Sequence, residues 1–553
     1  MKQFNIALGL AVSIFSGNSL AAEPVKLVIP EVKHDVSETL KSMASTVQLV
    51  QPAHRVVPLY RKPLKLKPIE GTFIDEAIQP NVTLPLVATP GLSFLGLGAG
   101  FPNFEPSISP PDPNASVGLT QIVQWVNASF AVFDKATGTL VMGPTAGNAL
   151  WAGFGGPCQN QNSGDPIVKY DQLANRWVMT QFAVEDKAHQ TQCIAVSTTS
   201  DATGPYYRYA FDFGTNFNDY GKLGVWPDAY YMMFAMFPAD VLDDDEGFAP
   251  AIPTQSGPAA CAFDRNSMLT GSPATMQCFQ PQPAAGFFLP SDLDGKTLPH
   301  AGEPNYFVGL LQDANGVTDR HHLAVWKFHV DWQNPNNSTF MGPTALRVKE
   351  FNPTICNKTP DNADGDCAVQ QGTNAKLDVI SDRPMYRLAY RNLGSHQSLV
   401  FNHVVQTGNQ IPATRWYEFR VNYRGNLTVH QQGTYTQPDG NGRWMGSIAM
   451  DKQGNMALGF SVSGPALFPS IHYTGRKHYD PRDRMRGENI IMNGGGHQLP
   501  SAPGKTNRWG DYSSMAIDPS DDCTFWYTNE FLQESGKDNW STQIASFKYP
   551  ECK

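Results

Sequence analysis

From residue 112 to the C-terminus the chain repeats one local pattern: short runs of alternating apolar and polar residues, each closed by a turn signal. Gln121 to Asp134 (QIVQWVNASFAVFD) alternates at period two and ends at Lys135-Ala136-Thr137-Gly138, which reads as two strands and a turn. After Gly164-Asp165-Pro166 come IVKYD, RWVMTQF, CIAVSTT and YRYAFDF, four strand-like runs separated by turn residues. Four such strands in succession are what one β-propeller blade requires. Similar runs continue through AYYMMFAMF, PNYFVGLL, HLAVWKFHVDW, RLAYRN, SLVFNHVVQ, RWYEFRVN, NMALGFSVS and TFWYTNEF.

The runs themselves recur. Arg508 to Pro519 (RWGDYSSMAIDP) and Arg443 to Asp451 (RWMGSIAMD) share their order: Arg-Trp, a tight step, alternating small and apolar residues, and a closing Asp. Ser381 to Tyr390, Gly224 to Tyr230 and Ser163 to Asp171 follow the same logic. Recurrence of a strand-built unit predicts an all-β, seven-bladed β-propeller, with blades beginning near Asp112, Asp165, Asp228, Asn305, Asp382, Gly446 and Asp511. If the stretch 304–348 instead completes its neighbours, the count falls to six.

Composition agrees with many short strands. Of 553 residues only 16% are charged and 11% aromatic, with 48 Gly and 43 Pro. A net charge of −9 offers no basic footprint for a polyanion such as DNA or RNA, so nucleic acid is excluded as a partner. Met1 to Ala22 has a basic start at Lys2, an apolar run from Phe4 to Phe15 and a small-residue site at Ser19-Leu20-Ala21-Ala22, the make-up of a secretory signal peptide. No second run is long enough to span a bilayer, which predicts a secreted or periplasmic protein. Residues 23–95 read as an extended leader or arm outside the propeller domain of 96–553. Insertions fall near 238–260 and 352–371.

Eight cysteines in an exported chain favour disulfides over zinc. Pairing neighbours in sequence closes the shortest loops: Cys158 with Cys193, Cys261 with Cys278, Cys356 with Cys367, and Cys523 with Cys552.

The segments SGDPIVKYDQLANRWVMTQF, CIAVSTTSDATGPYYRY, KLGVWPDAYYM, RWMGSIAMDKQGNMALGFS and NRWGDYSSMAIDPSDDCTFWYTNE together resemble exported bacterial β-propeller proteins described as sialidase-like. The resemblance runs from about residue 110 to the C-terminus. The sialidase Asp-box pattern is not reproduced strictly, since Ser514 to Trp526 offers its residues at other spacings.

In a propeller the starts of the innermost strands converge at one mouth of the channel. Asp165, Asp228, Asp382 and Asp511 would then form an arc of carboxylates, suited to Ca²⁺. Alternatively each Asp caps a turn between blades by accepting backbone N–H groups. Sialidase-type hydrolysis, which the resemblance raises, needs arginines for a carboxylate, a Tyr activated by a Glu, and an acid. Asp165, Asp228, Arg383, Arg443, Arg508, Asp511, Tyr512 and Glu530 supply those types. The repeated Arg-Trp pairs at 443 and 508 are also explained by guanidinium–indole stacking between blades. Three lesser signals are Asp112-Pro-Asn114-Ala-Ser116, the acidic run Asp243 to Glu246, and His321-His322. Two functions remain in view: an exported disc that binds a glycan or an extracellular protein at one face, and a glycoside hydrolase using the mouth carboxylates, Tyr and Arg.

Overall fold

The computed structural model describes residues 24–46, 55–56, 65–67, 73–79, 84–239, 257–281, 285–313, 315–353, 367–502 and 506–553. Strands dominate, as the alternation predicts. They group into successive four-stranded antiparallel units. The first unit is Pro113–Val117, Gln121–Val126, Ser129–Asp134 and Leu140–Ala146. The second is Gly164–Asp171, Arg176–Asp186, His189–Ser197 and Tyr206–Asp212. The third is Asn216–Val225, Tyr230–Pro238, Gly257–Phe263 and Thr275–Gln280.

The fourth unit begins at Phe288–Asp294, with Asn305–Gln312 as its second strand, followed by Thr318–His329 and Thr339–Arg347. Asn305 therefore starts a second strand and not a unit, a correction to the sequence reading. The fifth unit is Pro384–Asn392, Gln397–Gln406, Pro412–Val421 and Leu427–Tyr435. Gly442–Met450, Met456–Gly464, Leu467–Arg476 and Asn489–Met492 make the sixth. Ser514–Ile517, Phe525–Leu532 and Trp540–Lys548 belong to the last.

The first strand of each unit packs against the first strand of the next, and that of the last unit against that of the first. These strands are buried on both faces and read as runs of small and apolar residues rather than as clean alternation. Side chains join them across the units: Asn114 Oδ1 accepts the N–H of Val168 at 2.8 Å, Ser116 Oγ that of Tyr170 at 2.9 Å, and Ser447 Oγ that of Met515 at 3.0 Å. Between the fourth and fifth units the backbones themselves pair, Phe288–Asp294 running parallel to Pro384–Asn392. Between the first strands a buried ion network links four units. Arg387 contacts Asp292 at 2.9 Å and Asp294 at 2.5 Å, Lys169 reaches Asp292 at 2.5 Å, and Arg387 Nε donates to the carbonyl of Met515 at 3.0 Å.

The leader is not an arm outside the domain. Val25–Pro30 adds an outer strand to the third unit and Lys33–Val36 one to the second, while Thr89–Leu95 supplies the fourth strand of the last unit. Between them, Asp75 is fully buried against Arg415, Oδ1 to Nη2 at 2.5 Å, and its other oxygen accepts from Thr434 Oγ1 at 2.6 Å. Gln79 exchanges two hydrogen bonds with the backbone of Met485. Sequence reading missed these strands because their pairing partners lie hundreds of residues away.

Cys158–Cys193, Cys261–Cys278 and Cys523–Cys552 are disulfide-bonded, as the shortest-loop pairing predicts. Cys356 lies outside the described residues, as do the signal peptide and most of both predicted insertions. No helix among the described residues is long and apolar enough to cross a membrane. The predicted guanidinium–indole stacks give way to another packing: Trp444 and Trp509 meet each other at 6.0 Å between ring centroids, while Arg443 and Arg508 take carboxylates.

Candidate functional site

Where the first strands begin, residues from five units come together. Asp112 and Asp165 stand there with φ of +45° and +48°, a left-handed turn that Asp tolerates better than most residues. In the third unit the register shifts between Asp219 and Lys222, and Tyr220 takes a φ of +53°. Such a bulge re-aims side chains, and here it turns Asp219, Tyr220 and Lys222 toward the mouth. Asp382 and Arg383 precede the first strand of the fifth unit, and Arg508, Asp511 and Tyr512 precede that of the last.

The carboxylates meet backbone donors and protein cations. Asp112 Oδ1 accepts the N–H of Asp511 at 2.7 Å, and Asp165 Oδ2 that of Tyr220 at 3.0 Å. Arg383 binds Asp382 through two bonds of 2.9 and 3.0 Å, its guanidinium 4.5 Å from the Tyr220 ring centre. Arg508 Nη2 donates to Asp511 at 2.7 Å. The Lys222 ammonium lies between two rings, 3.4 Å from the centre of Tyr220 and 4.1 Å from that of Tyr512. Glu530 Oε1 accepts the N–H of Gly510, where a Cβ would meet that carboxylate at 3.1 Å and Pro113 at 3.2 Å.

Burial sets the protonation of the cluster. It raises Asp112 and Glu530 well above the ordinary carboxylate range, with the neighbouring Asp511 charge adding to it, and it raises Asp165 as well. Asp219, half-buried, is pushed up to about 8 by burial and then by the charge of Asp165. Lys222 falls to about 8, since burial outweighs the surrounding aspartates. At neutral pH the Asp219 carboxyl therefore keeps its proton.

Several polar atoms here have no protein partner among the described residues: Nε and Nη1 of Arg508, Oε2 of Glu530 and the Tyr220 hydroxyl. Arg508 is 6% exposed, and Glu530 and Tyr220 are fully buried.

Of the residues singled out in the sequence, Asp165, Asp382, Arg383, Arg508, Asp511, Tyr512 and Glu530 meet at this mouth. Asp228 does not. It lies in the turn after Asn216–Val225, at the other end of that strand, where its carbonyl accepts from Trp332 Nε1 at 2.9 Å. The motif Trp226-Pro227-Asp228 imitates a unit start, whereas the true one is the stretch holding Asp219 to Lys222. Arg443 also points elsewhere, to Asp439 at 2.7 Å and Glu488 at 2.5 Å, with Glu488 in turn on His472 at 2.9 Å. Asp219, Tyr220 and Lys222 were missed. An Asp-Tyr-Gly step directly before an apolar strand, like Gly510-Asp511-Tyr512, was the available signal.

For Ca²⁺ the donor set fits poorly. Asp382 spends both oxygens on Arg383, and three protein cations stand among the remaining carboxylates. Among the described residues no group of three such ligands is placed to hold a metal ion. Asn114 and Ser116 cap backbone N–H groups of the second unit, Asp243 to Glu246 lie outside the described residues, and His322 pairs with Asp319 at 3.0 Å.

The tyrosine–glutamate pair of sialidase-type hydrolysis is not assembled here. The Tyr512 hydroxyl donates to the carbonyl of Pro166 at 3.0 Å, Tyr527 to Ser513 at 2.9 Å, and Glu418 holds Ser398, Arg420 and Gln431. What the mouth offers instead is a mixture of donors and acceptors that lack partners among the described residues.

No family model and no curated protein matches the chain. Among solved structures it is similar to an α-L-arabinanase of Penicillium chrysogenum complexed with arabinobiose, at 9% identity and a TM-score of 0.34 over 71% of this chain and 99% of that one. An ulvan lyase, from a family of polysaccharide lyases, matches at 11% identity and 0.34 over 81% and 95%. Extracellular domains 1–2 of Drosophila Semaphorin 1a match at 9% and 0.33 over 85% and 88%.

Proposed function

We propose that this protein is an exported, closed seven-bladed β-propeller that binds a glycan at the mouth lined by Asp165, Asp219, Lys222, Arg383, Arg508, Asp511 and Glu530. One observation carries the reading: Arg508, Glu530 and Tyr220 bring to this mouth buried donor and acceptor atoms that have no partner among the described residues. Each such atom costs about 1–3 kcal/mol until something pairs with it. A ligand dense in hydroxyls both donates and accepts, so it suits the mixture better than an apolar molecule or a simple anion. The cyclic packing of first strands supports seven blades, and the disulfides support an oxidising, extracellular or periplasmic setting. An extracellular protein ligand presenting hydroxyls and carboxylates is the variant of this reading that the same mouth accommodates.

The test is a glycan array followed by calorimetry, with Arg508→Met and Glu530→Gln beside the parent protein. Binding weakened at least about tenfold by either variant is expected. Binding that survives both substitutions in folded protein overturns the assignment of this mouth.

A second reading rests on Asp219, which is half-buried and holds its proton up to about pH 8. A carboxylic acid kept neutral at physiological pH is what general-acid cleavage of a glycosidic bond requires. Turnover of a chromogenic glycoside that Asp219→Asn abolishes while binding persists would select hydrolysis over binding alone.

A further inference from the structure

The opposite end of the fifth unit carries a surface of different chemistry. Pro384–Asn392 runs away from the mouth, Gln397–Gln406 returns, and Pro412–Val421 runs away again, so the turns at 393–396 and 422–426 lie at the far end. Around them gather His396, Arg420, His430 and Arg482, and burial first, then Arg420, Arg482 and His396, hold the His430 imidazole below its usual range. Arg424 and the 89% exposed Tyr423 project from the second turn, the guanidinium 5.2 Å from the ring centre.

That turn is firmly held. Asn422 Oδ1 accepts the N–H groups of Arg424 and Asn426 at 2.9 and 3.1 Å, Tyr306 donates to the carbonyl of Gly425 at 3.1 Å, and Lys327 to Asn426 at 2.7 Å. Three acidic groups lie nearby, and Glu303 takes the Tyr306 hydroxyl beside the Gly425 carbonyl. Glu418 is buried and takes Ser398 at 2.8 Å, Arg420 at 2.9 Å and Gln431 at 2.5 Å, and Asp483 accepts the N–H of Gln432 at 2.8 Å. The exposed Arg424 and Arg482 thus stand on a chain of net charge −9, beside a tyrosine ring open to solvent.

We infer that this far-end patch is a docking surface for an acidic polysaccharide, separate from the mouth, and that it grips more tightly as pH falls. Guanidiniums pair with carboxylate or sulfate groups along the polymer, and the Tyr423 ring offers a flat face to a sugar. His396 faces Arg420, Glu418 and the Ser395 hydroxyl, and His430 faces Glu418, Arg420, Arg482 and His396. Burial and then the arginines hold both imidazoles below their usual range. A bound polyanion favours their charged forms, so docking takes up protons, and by linkage acid strengthens docking.

The experiment uses the full chain and two probes, polygalacturonate for carboxylate and dextran sulfate for sulfate, with neutral dextran as the blank. Binding of at least one polyanion about tenfold tighter near pH 5.5 than near pH 7.5, and weakened by salt, is expected. The double variant His396→Gln/His430→Gln should lose most of that pH response, and Arg424→Ala/Arg482→Ala most of the affinity. Circular dichroism checks that each variant folds. Absence of binding to both polyanions, a pH response unchanged in the histidine variant, or loss of binding only with Arg508→Met overturns the inference, the last by moving the polymer to the mouth.

Discussion

Asp112 accepts the backbone N–H of Asp511 at 2.7 Å, fastening the first unit to the last across most of the chain. The acceptor is fully buried and its carboxyl is held well above the usual range by burial and by the Asp511 charge. Replacing it with Ala leaves that N–H unpaired where water reaches poorly. Asp112→Ala should therefore lose about 1–3 kcal/mol in urea unfolding, and Asp112→Asn, which keeps an acceptor, distinctly less. Equal losses in the two variants would show that the bond contributes little.

The leader is bound by a buried ion pair. Asp75 and Arg415 are 1% and 0% exposed at their side chains. Removing one partner strands the other charge, so Asp75→Ala should cost about 3–5 kcal/mol, and Asp75→Leu combined with Arg415→Met should recover much of it. A loose arm would give no change in chemical denaturation.

The acids at the mouth make stability depend on pH in an unusual direction. Asp219 titrates at about 8 in the folded chain, against about 4 unfolded. Between those values the folded state binds more protons, so stability falls as pH rises from about 4 to 8. Asp112 and Glu530, raised for the same reason, act with the same sign. Melting temperatures recorded across that window should decline, and less steeply for Asp219→Asn. A parallel decline in the two proteins would remove Asp219 as a contributor.

His403 opposes this trend in acid. It is wholly buried, bonds Tyr417 at 3.0 Å and is held neutral down to about pH 3 by burial and by Arg415. The unfolded chain takes up that proton near pH 6.5, so stability drains away below it, by up to about 1.4 kcal/mol per pH unit. His403→Phe, whatever its stability at neutral pH, should lack that component. Identical acid slopes would contradict it.

Calcium offers a simpler check. Asp165, Asp382 and Asp511 already face Tyr220 N–H, Arg383 and Arg508. EDTA should leave the melting temperature unmoved, and an upward shift with added Ca²⁺ would show that a cation displaces those partners.

Much of the fold was legible because alternation and turn chemistry are local. Asp112, Asp165 and Asp511 were found as strand starts since each opens a strand in the same short motif. The third unit misled because a bulge at Asp219 to Lys222 interrupts its first strand, and bulges hide in one-residue register shifts. Asn305 misled because Phe288–Asp294 is followed by a Gly- and Pro-containing loop, so the second strand looked like the first. The paths of Arg443 and Arg508 diverge although both precede Trp. Arg508 takes Asp511 from its own motif, whereas Arg443 turns to Glu488, 45 residues on, which only packing brings to it.

The strand Thr89–Leu95 pairs with Trp540–Lys548, within a few residues of where the chain finishes. That sheet joins segments some 450 residues apart, so a nascent polypeptide carries an open edge until Trp540–Lys548 has been made.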